Sequence, residues 1–185
     1  MKNNIISTKK IVTLALFVAI SYILSFFSFP IFPSAPYLKL DFGNVFILLP
    51  SLLFGPFEGI AICLVKELLS LINSTTGGVG EIANFIMTSS YILIPSIIYK
   101  YKKGIVSVLI SLLCACVVGT SVATLTNRFI VFPLYMGSAA PKVFASVFVF
   151  VVLFNLIKTA SISILSFVLY KRLSSFFKKI AVKKK

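Results

Sequence analysis

Residues 32–55 read "FPSAPYLKLDFGNVFILLPSLLFG". The first half is semi-polar, punctuated by Pro33 and Pro36, and carries Asp41, one of only four acidic residues in the chain. Prolines hold φ near one value and restrict the residue before them, so this half is extended or turned rather than helical. The second half, 45–54, is apolar and stops at Gly55-Pro56. Ten residues are too few to cross the roughly 30 Å of a bilayer core alone. Such a helix needs shelter from its neighbours. On one side lies the charge-free apolar run 11–29, and on the other the run 57–72.

The rest of the chain extends this pattern. Of 185 residues, 59% are hydrophobic and 12% are charged. A soluble domain is nearer half apolar and a quarter charged, so the composition is that of an integral membrane protein. Six spans are predicted, at 11–29, 45–54, 57–72, 82–99, 105–125 and 143–170, in a single membrane domain 1–185 with a basic tail at 171–185. The net charge is +14. It is concentrated beside the spans, at Lys2, Lys9 and Lys10, at Lys100, Lys102 and Lys103, and in the tail. This is the positive-inside signature, not a nucleic-acid footprint. An even number of spans puts all three clusters, 13 of the 18 Lys and Arg, on the cytoplasmic side with both termini. The run 11–29 is long for a signal sequence, and no small-x-small cleavage site follows it. The connections 30–44, 73–81 and 126–142 then face outward as long loops, where function concentrates.

Polar side chains inside a bilayer are costly and mark function. Glu81 and Asn84 in "EIANF" share a helix face at i, i+3, as do Asn155 and Lys158 in "FNLIKTAS". Lys158 lies mid-span and requires a carboxylate, a carbonyl or a ligand acceptor. Lys66 and Glu67 are adjacent, and adjacent helix positions do not face each other, so a simple pair between them is not expected. Asn127 and Arg128 close span five. "NSTTGGVG" before Glu81 is a Gly-rich turn that lets backbone approach a ligand at Gly78. It is not a phosphate loop, because Gly80 is followed by Glu81 rather than Lys-Ser/Thr.

These groups suit a neutral, hydroxyl-rich or heteroaromatic molecule. Catalysis is poorly served: there is no histidine, no paired acid and base, and no metal-ligand spacing. The three cysteines, Cys63, Cys114 and Cys116, all lie within apolar runs. Small residues at i, i+4 permit close helix approach at Ala15/Ala19, Gly55/Gly59 and Ala115/Gly119.

Taken in order, the basic N-terminus, Ala15-x-x-x-Ala19, "PSAPYLKLDFGN", "LLFGP", "TTGGVGEIANF" and Asn155-x-x-Lys158 resemble one family over nearly the whole chain. It is the substrate-binding S components of energy-coupling factor transporters, and among them the riboflavin-binding RibU group. The resemblance implies an all-α protein of the cytoplasmic membrane with six transmembrane helices. Its outward pocket is covered by the loop after helix 1, which maps onto Pro36 to Asn44 and so onto Leu40 and Asp41. It implies riboflavin as the transported ligand, with no enzyme activity, cofactor or metal. It implies delivery inward by a transmembrane T protein and two ATPases. Ala15 and Ala19 map onto the T-protein face; Lys66, Gly78, Glu81, Asn84, Asn127, Asn155 and Lys158 map onto the pocket. Glu67 stands where an amide is expected, which leaves flavin mononucleotide or another vitamin open. A stand-alone secondary transporter is the other alternative, and it calls for inverted repeats that the chain does not display.

Overall fold

The structure, a computed structural model, describes residues 8–33 and 35–182, without the side chains of 171 and 173–182. Lys2, Lys183, Lys184 and Lys185, and the side chains of Lys171, Lys178 and Lys179, therefore lie outside the described residues. The chain is a helical bundle. Its helices are α1 (Thr8–Ser25), α2 (Val45–Phe54), α3 (Pro56–Ser70), α4 (Val79–Tyr101), α5 (Ile105–Thr126), the short α6 (Phe132–Met136) and α7 (Ala140–Val182). Between α1 and α2, strands β1 (Phe29–Pro30) and β2 (Lys39–Leu40) pair antiparallel, Phe29 opposite Leu40.

Among the described residues, three helical stretches are long and apolar enough to cross a membrane: Thr8–Ser25, Val79–Tyr101, and the near-continuous Ile105–Tyr170 that joins α5 to α7. α2 has the bounds expected from sequence, and its shelter is evident: Val45 and Ile47 to Leu52 are all buried. Pro56 at the first turn of α3 costs nothing there, since its missing N–H would be unpaired anyway. α2 and α3 touch where a methyl carbon at Gly59 would lie 2.4 Å from Ser51 Cβ. The spacings Gly55/Gly59 and Ala115/Gly119 thus act inside the bundle: Gly119 backs onto Tyr91 and Thr159. Ala15 and Ala19 are exposed. α1 sits at the edge of the bundle, with Ser21 its one buried residue, donating to Gly43 O at 2.8 Å. Of the cysteines, Cys63 is buried and Cys114 is exposed.

Two expectations change. The first span ends at Ser25, because the chain turns there to enter the β1–β2 hairpin. Residues 126–142 are not a loop but run through a π-helical turn (Asn127–Val131), α6 and a 3-10 turn (Gly137–Ala139). Pro133 lacks an N–H to bond a carbonyl one α-turn back; Phe132 N–H instead reaches Asn127 O in the wider register.

The apolar core has two parts. The larger is built from α2 to α5 and α7, including Ile47, Ile62, Tyr91, Val108 and Ile162. The smaller packs the segment before α2 (Ala35, Leu38, Leu40) against Val131, Phe132, Phe144 and Phe154. The segment read from sequence as a covering loop is anchored at one end of the bundle by these contacts. The basic residues Lys10 and Lys100 lie at the opposite end, where Lys10 pairs with Glu58 and Tyr170 OH donates to Tyr99 OH at 3.0 Å.

Candidate ligand cavity

Between these two core regions lies a cavity of about 340 Å³. Six parts of the chain supply its wall: the end of α1, the segment before α2, the end of α3, the start of α4, the α5–α6 junction and mid-α7. Seven of the residues singled out from sequence line it: Asp41, Lys66, Glu81, Asn84, Asn127, Asn155 and Lys158. Leu40 and Gly78 do not. Leu40 is directed into the smaller core, where it is 5% exposed. Gly78 has a local duty instead. With φ of 91° it turns the chain into α4, and its N–H donates to Ser74 Oγ at 3.0 Å. Thr76 completes that cap, accepting from Gly80 N–H at 3.1 Å and donating to Glu81 Oε2 at 2.9 Å.

Asn84 is the hub of the polar wall. Its Oδ1 accepts from Lys158 Nζ at 2.7 Å and from Asn44 Nδ2 at 3.1 Å, and its Nδ2 donates to Glu67 Oε1. Four elements meet there: α7, the residue preceding α2, α4 and α3. Lys66 Nζ donates to the same Glu67 Oε1 at 2.9 Å. That overturns the expectation that these neighbours would not pair. Both side chains are long and both are buried, so each charge needs a nearby partner, and their ends converge on the cavity wall. Lys158 is balanced a second time by Asp41 Oδ2 at 3.8 Å. Lys158 therefore does not snorkel: its partners are an amide and a carboxylate on other elements.

Asp41 is held in place by its own backbone, accepting Gly43 N–H at 2.8 Å. Burial pushes its carboxyl upward. The Lys66 and Lys158 ammonium groups and the Gly43 and Asn44 N–H groups outweigh that, and hold it below its ordinary value of 3.8. Asn127 and Asn155 each donate Nδ2 to the helix carbonyl four residues back, both at 2.8 Å. Each amide is thereby orientated, with its carbonyl oxygen making no hydrogen bond among the described residues.

Sequence reading marked Glu67 as a departure from the family without placing it in the pocket, and it missed Tyr22, Tyr37, Thr76 and Tyr135. Tyr135 OH donates to Thr76 O at 2.7 Å, joining α6 to the turn before α4, and Asn73 Nδ2 donates to Tyr22 OH at 3.0 Å. These contacts form a rim. Nothing in the sequence signalled this rim, since tyrosines in apolar runs read as core.

A family model described as "ECF transporter, substrate-specific component" matches residues 9–170. The riboflavin transporter RibU of Staphylococcus aureus (strain TCH60) is 37% identical over 184 residues, covering 97% of each chain. The riboflavin transporter FmnP of Bacillus subtilis (strain 168) is 32% identical over 131 residues, covering 69% of this chain and 68% of its own. Among solved structures, the S component of a bacterial ECF transporter superposes with a TM-score of 0.80 at 38% identity, covering 92% of this chain and 98% of that one.

Proposed function

The chain belongs to the substrate-specific components of ECF transporters, and from that premise we propose that it is the riboflavin-binding subunit of such a transporter. It captures the vitamin outside the cell and delivers it inward with a T protein and two ATPases. The observation that carries this reading is the cavity at the end of the bundle away from Lys10 and Lys100. Its volume of about 340 Å³ falls within the roughly 300–1,000 Å³ of small-molecule sites. Riboflavin is a flat heteroaromatic with a polyol tail. It needs apolar walls, which Met87, Val131 and Phe154 supply, and orientated amides, which Asn127 and Asn155 supply.

In this reading the chain is a multi-pass protein of the cell membrane, with six spans and both termini inside. α2 and α3, with 10 and 15 residues, are the short spans, and α2 is shielded from lipid by its neighbours. The segment from Pro36 to Asn44 covers the flavin. The exposed Ala15–Ala19 face of α1 meets the T protein.

Titration of purified protein with riboflavin tests the proposal. Flavin fluorescence is quenched on binding, with an end point at one flavin per chain. Absence of quenching at micromolar protein would remove riboflavin as the ligand and leave the family's other vitamins to be tried.

A further inference from the structure

The charges of the cavity are out of keeping with the chain that builds it. The chain has 18 Lys and Arg against 4 Asp and Glu. A wall of that composition would be strongly cationic. The cavity instead collects three of the four carboxylates, Asp41, Glu67 and Glu81, opposite three ammonium groups, Lys39, Lys66 and Lys158. The fourth carboxylate, Glu58, is paired with Lys10 at the other end of the bundle. The inner four of these groups are almost fully enclosed, with side-chain exposures of 3% for Lys66, 7% for Glu67, 7% for Lys158 and 11% for Asp41. In such a setting an unbalanced charge acts across the whole chamber, because little water screens it.

We propose that the Glu67 carboxylate completes the charge balance of this cavity and so makes it select the uncharged flavin over its phosphate ester. The inference rests on the riboflavin reading above. Glu67 is the direct counter-ion of Lys66 at 2.9 Å, and through Asn84 it is linked to Lys158. With Glu67 ionised, both enclosed cations, Lys66 and Lys158, already face a carboxylate, and Lys39 at the exposed rim is matched in number by Glu81. A phosphate monoester brings about 1.5 to 2 negative charges at neutral pH. It would enter a chamber whose enclosed cations are already paired, next to carboxylates it repels. Without the Glu67 charge, Lys66 loses its nearest counter-ion and the chamber becomes an anion site.

The test is the ratio of dissociation constants for flavin mononucleotide and riboflavin, both measured by fluorescence quenching. The wild type should favour riboflavin by about tenfold or more, and Glu67→Gln should narrow that gap by about tenfold. The double variant Lys66→Gln/Glu67→Gln, which removes one charge of each sign, should return towards the wild-type ratio. A purely structural Glu67 would lower both affinities together; an unchanged ratio in Glu67→Gln therefore overturns the proposal. If that variant binds neither flavin, the wild type decides. The phosphate dianion takes up one proton near pH 6 and becomes a monoanion, so lowering pH from about 7.5 to about 5.5 should improve flavin mononucleotide several-fold relative to riboflavin. A flat ratio overturns the proposal. A wild type that binds neither flavin instead overturns the riboflavin reading itself.

Discussion

Lys158 Nζ donates to Asn84 Oδ1 at 2.7 Å across 74 residues of sequence, tying α7 to α4 at the floor of the cavity. The same amide binds Glu67 through its nitrogen. Asn84 is thus the one neutral group between a cation and an anion, and it uses both ends at once.

Asn84→Leu should therefore do more than remove one contact. It takes one hydrogen-bond partner from each of Lys158, Asn44 and Glu67. Riboflavin affinity is expected to fall by about 1–3 kcal/mol, with a lower melting temperature in detergent. Asn84→Asp preserves the acceptor but not the donor, and should recover part of the stability. Equal affinities for wild type and Asn84→Leu would place the hub outside the binding determinants.

Lys158→Ala and Asn155→Ala should each weaken riboflavin binding by about 1–3 kcal/mol. Their stability effects should differ. Lys158→Ala leaves Asp41 buried beside only one nearby cation, a loss that for buried pairs is typically about 3–5 kcal/mol. Adding Asp41→Asn to it should restore some of that stability. Calorimetric melts of the two singles and the double would give the coupling; a sum that is simply additive would show that the pair at 3.8 Å does not interact.

Acid should loosen the wall before the cavity at pH values where Asp41 takes up its proton. Its carboxyl in the folded chain lies below 3.8. A depressed carboxylate stabilises the fold fully above its unfolded value and loses that contribution as pH falls through the folded value. Melting temperatures measured from pH 6 downward should fall below about pH 4, and Asp41→Asn should flatten that part of the curve. A variant with the wild-type acid slope would assign the effect to other carboxylates.

Gly59→Ala should destabilise the bundle by about 1–3 kcal/mol, since the new methyl meets Ser51 Cβ at 2.4 Å. Thermal unfolding in detergent reads this directly. Gly104→Ala, where a methyl would meet nothing within 4 Å, is the matched control.

Ala15→Trp and Ala19→Trp should leave flavin quenching unchanged and prevent co-purification with the T protein. Both positions are exposed on α1, and neither lines the cavity. A normal complex from these variants would make that face an ordinary lipid-facing surface.

Much of the architecture was legible in the sequence because its causes are local. Lipid demands apolar runs, Gly55-Pro56 stops one helix and starts the next, and α2 falls at Val45–Phe54 as read. The segment 126–142 was not legible as helix. Asn, Pro, Gly and Lys there satisfy loop rules, and only the packing of Phe132 on Phe144 shows why it coils. Gly78 looked like a ligand-approach glycine and is a cap, because the same positive φ serves both uses.

The sequence by itself determined that this chain is apolar, helical and furnished with a few ionisable groups at membrane depth. Hydropathy and i, i+3 spacing need no knowledge of distant residues. Only the tertiary structure decided how those groups are used. It brought Asp41 to Lys158 and Glu67 to Asn84, and it turned Lys66 and Glu67 towards each other. Partners so far apart in the chain are chosen by which helix faces meet, and an enclosed charge takes whichever opposite charge or amide the packing brings within reach.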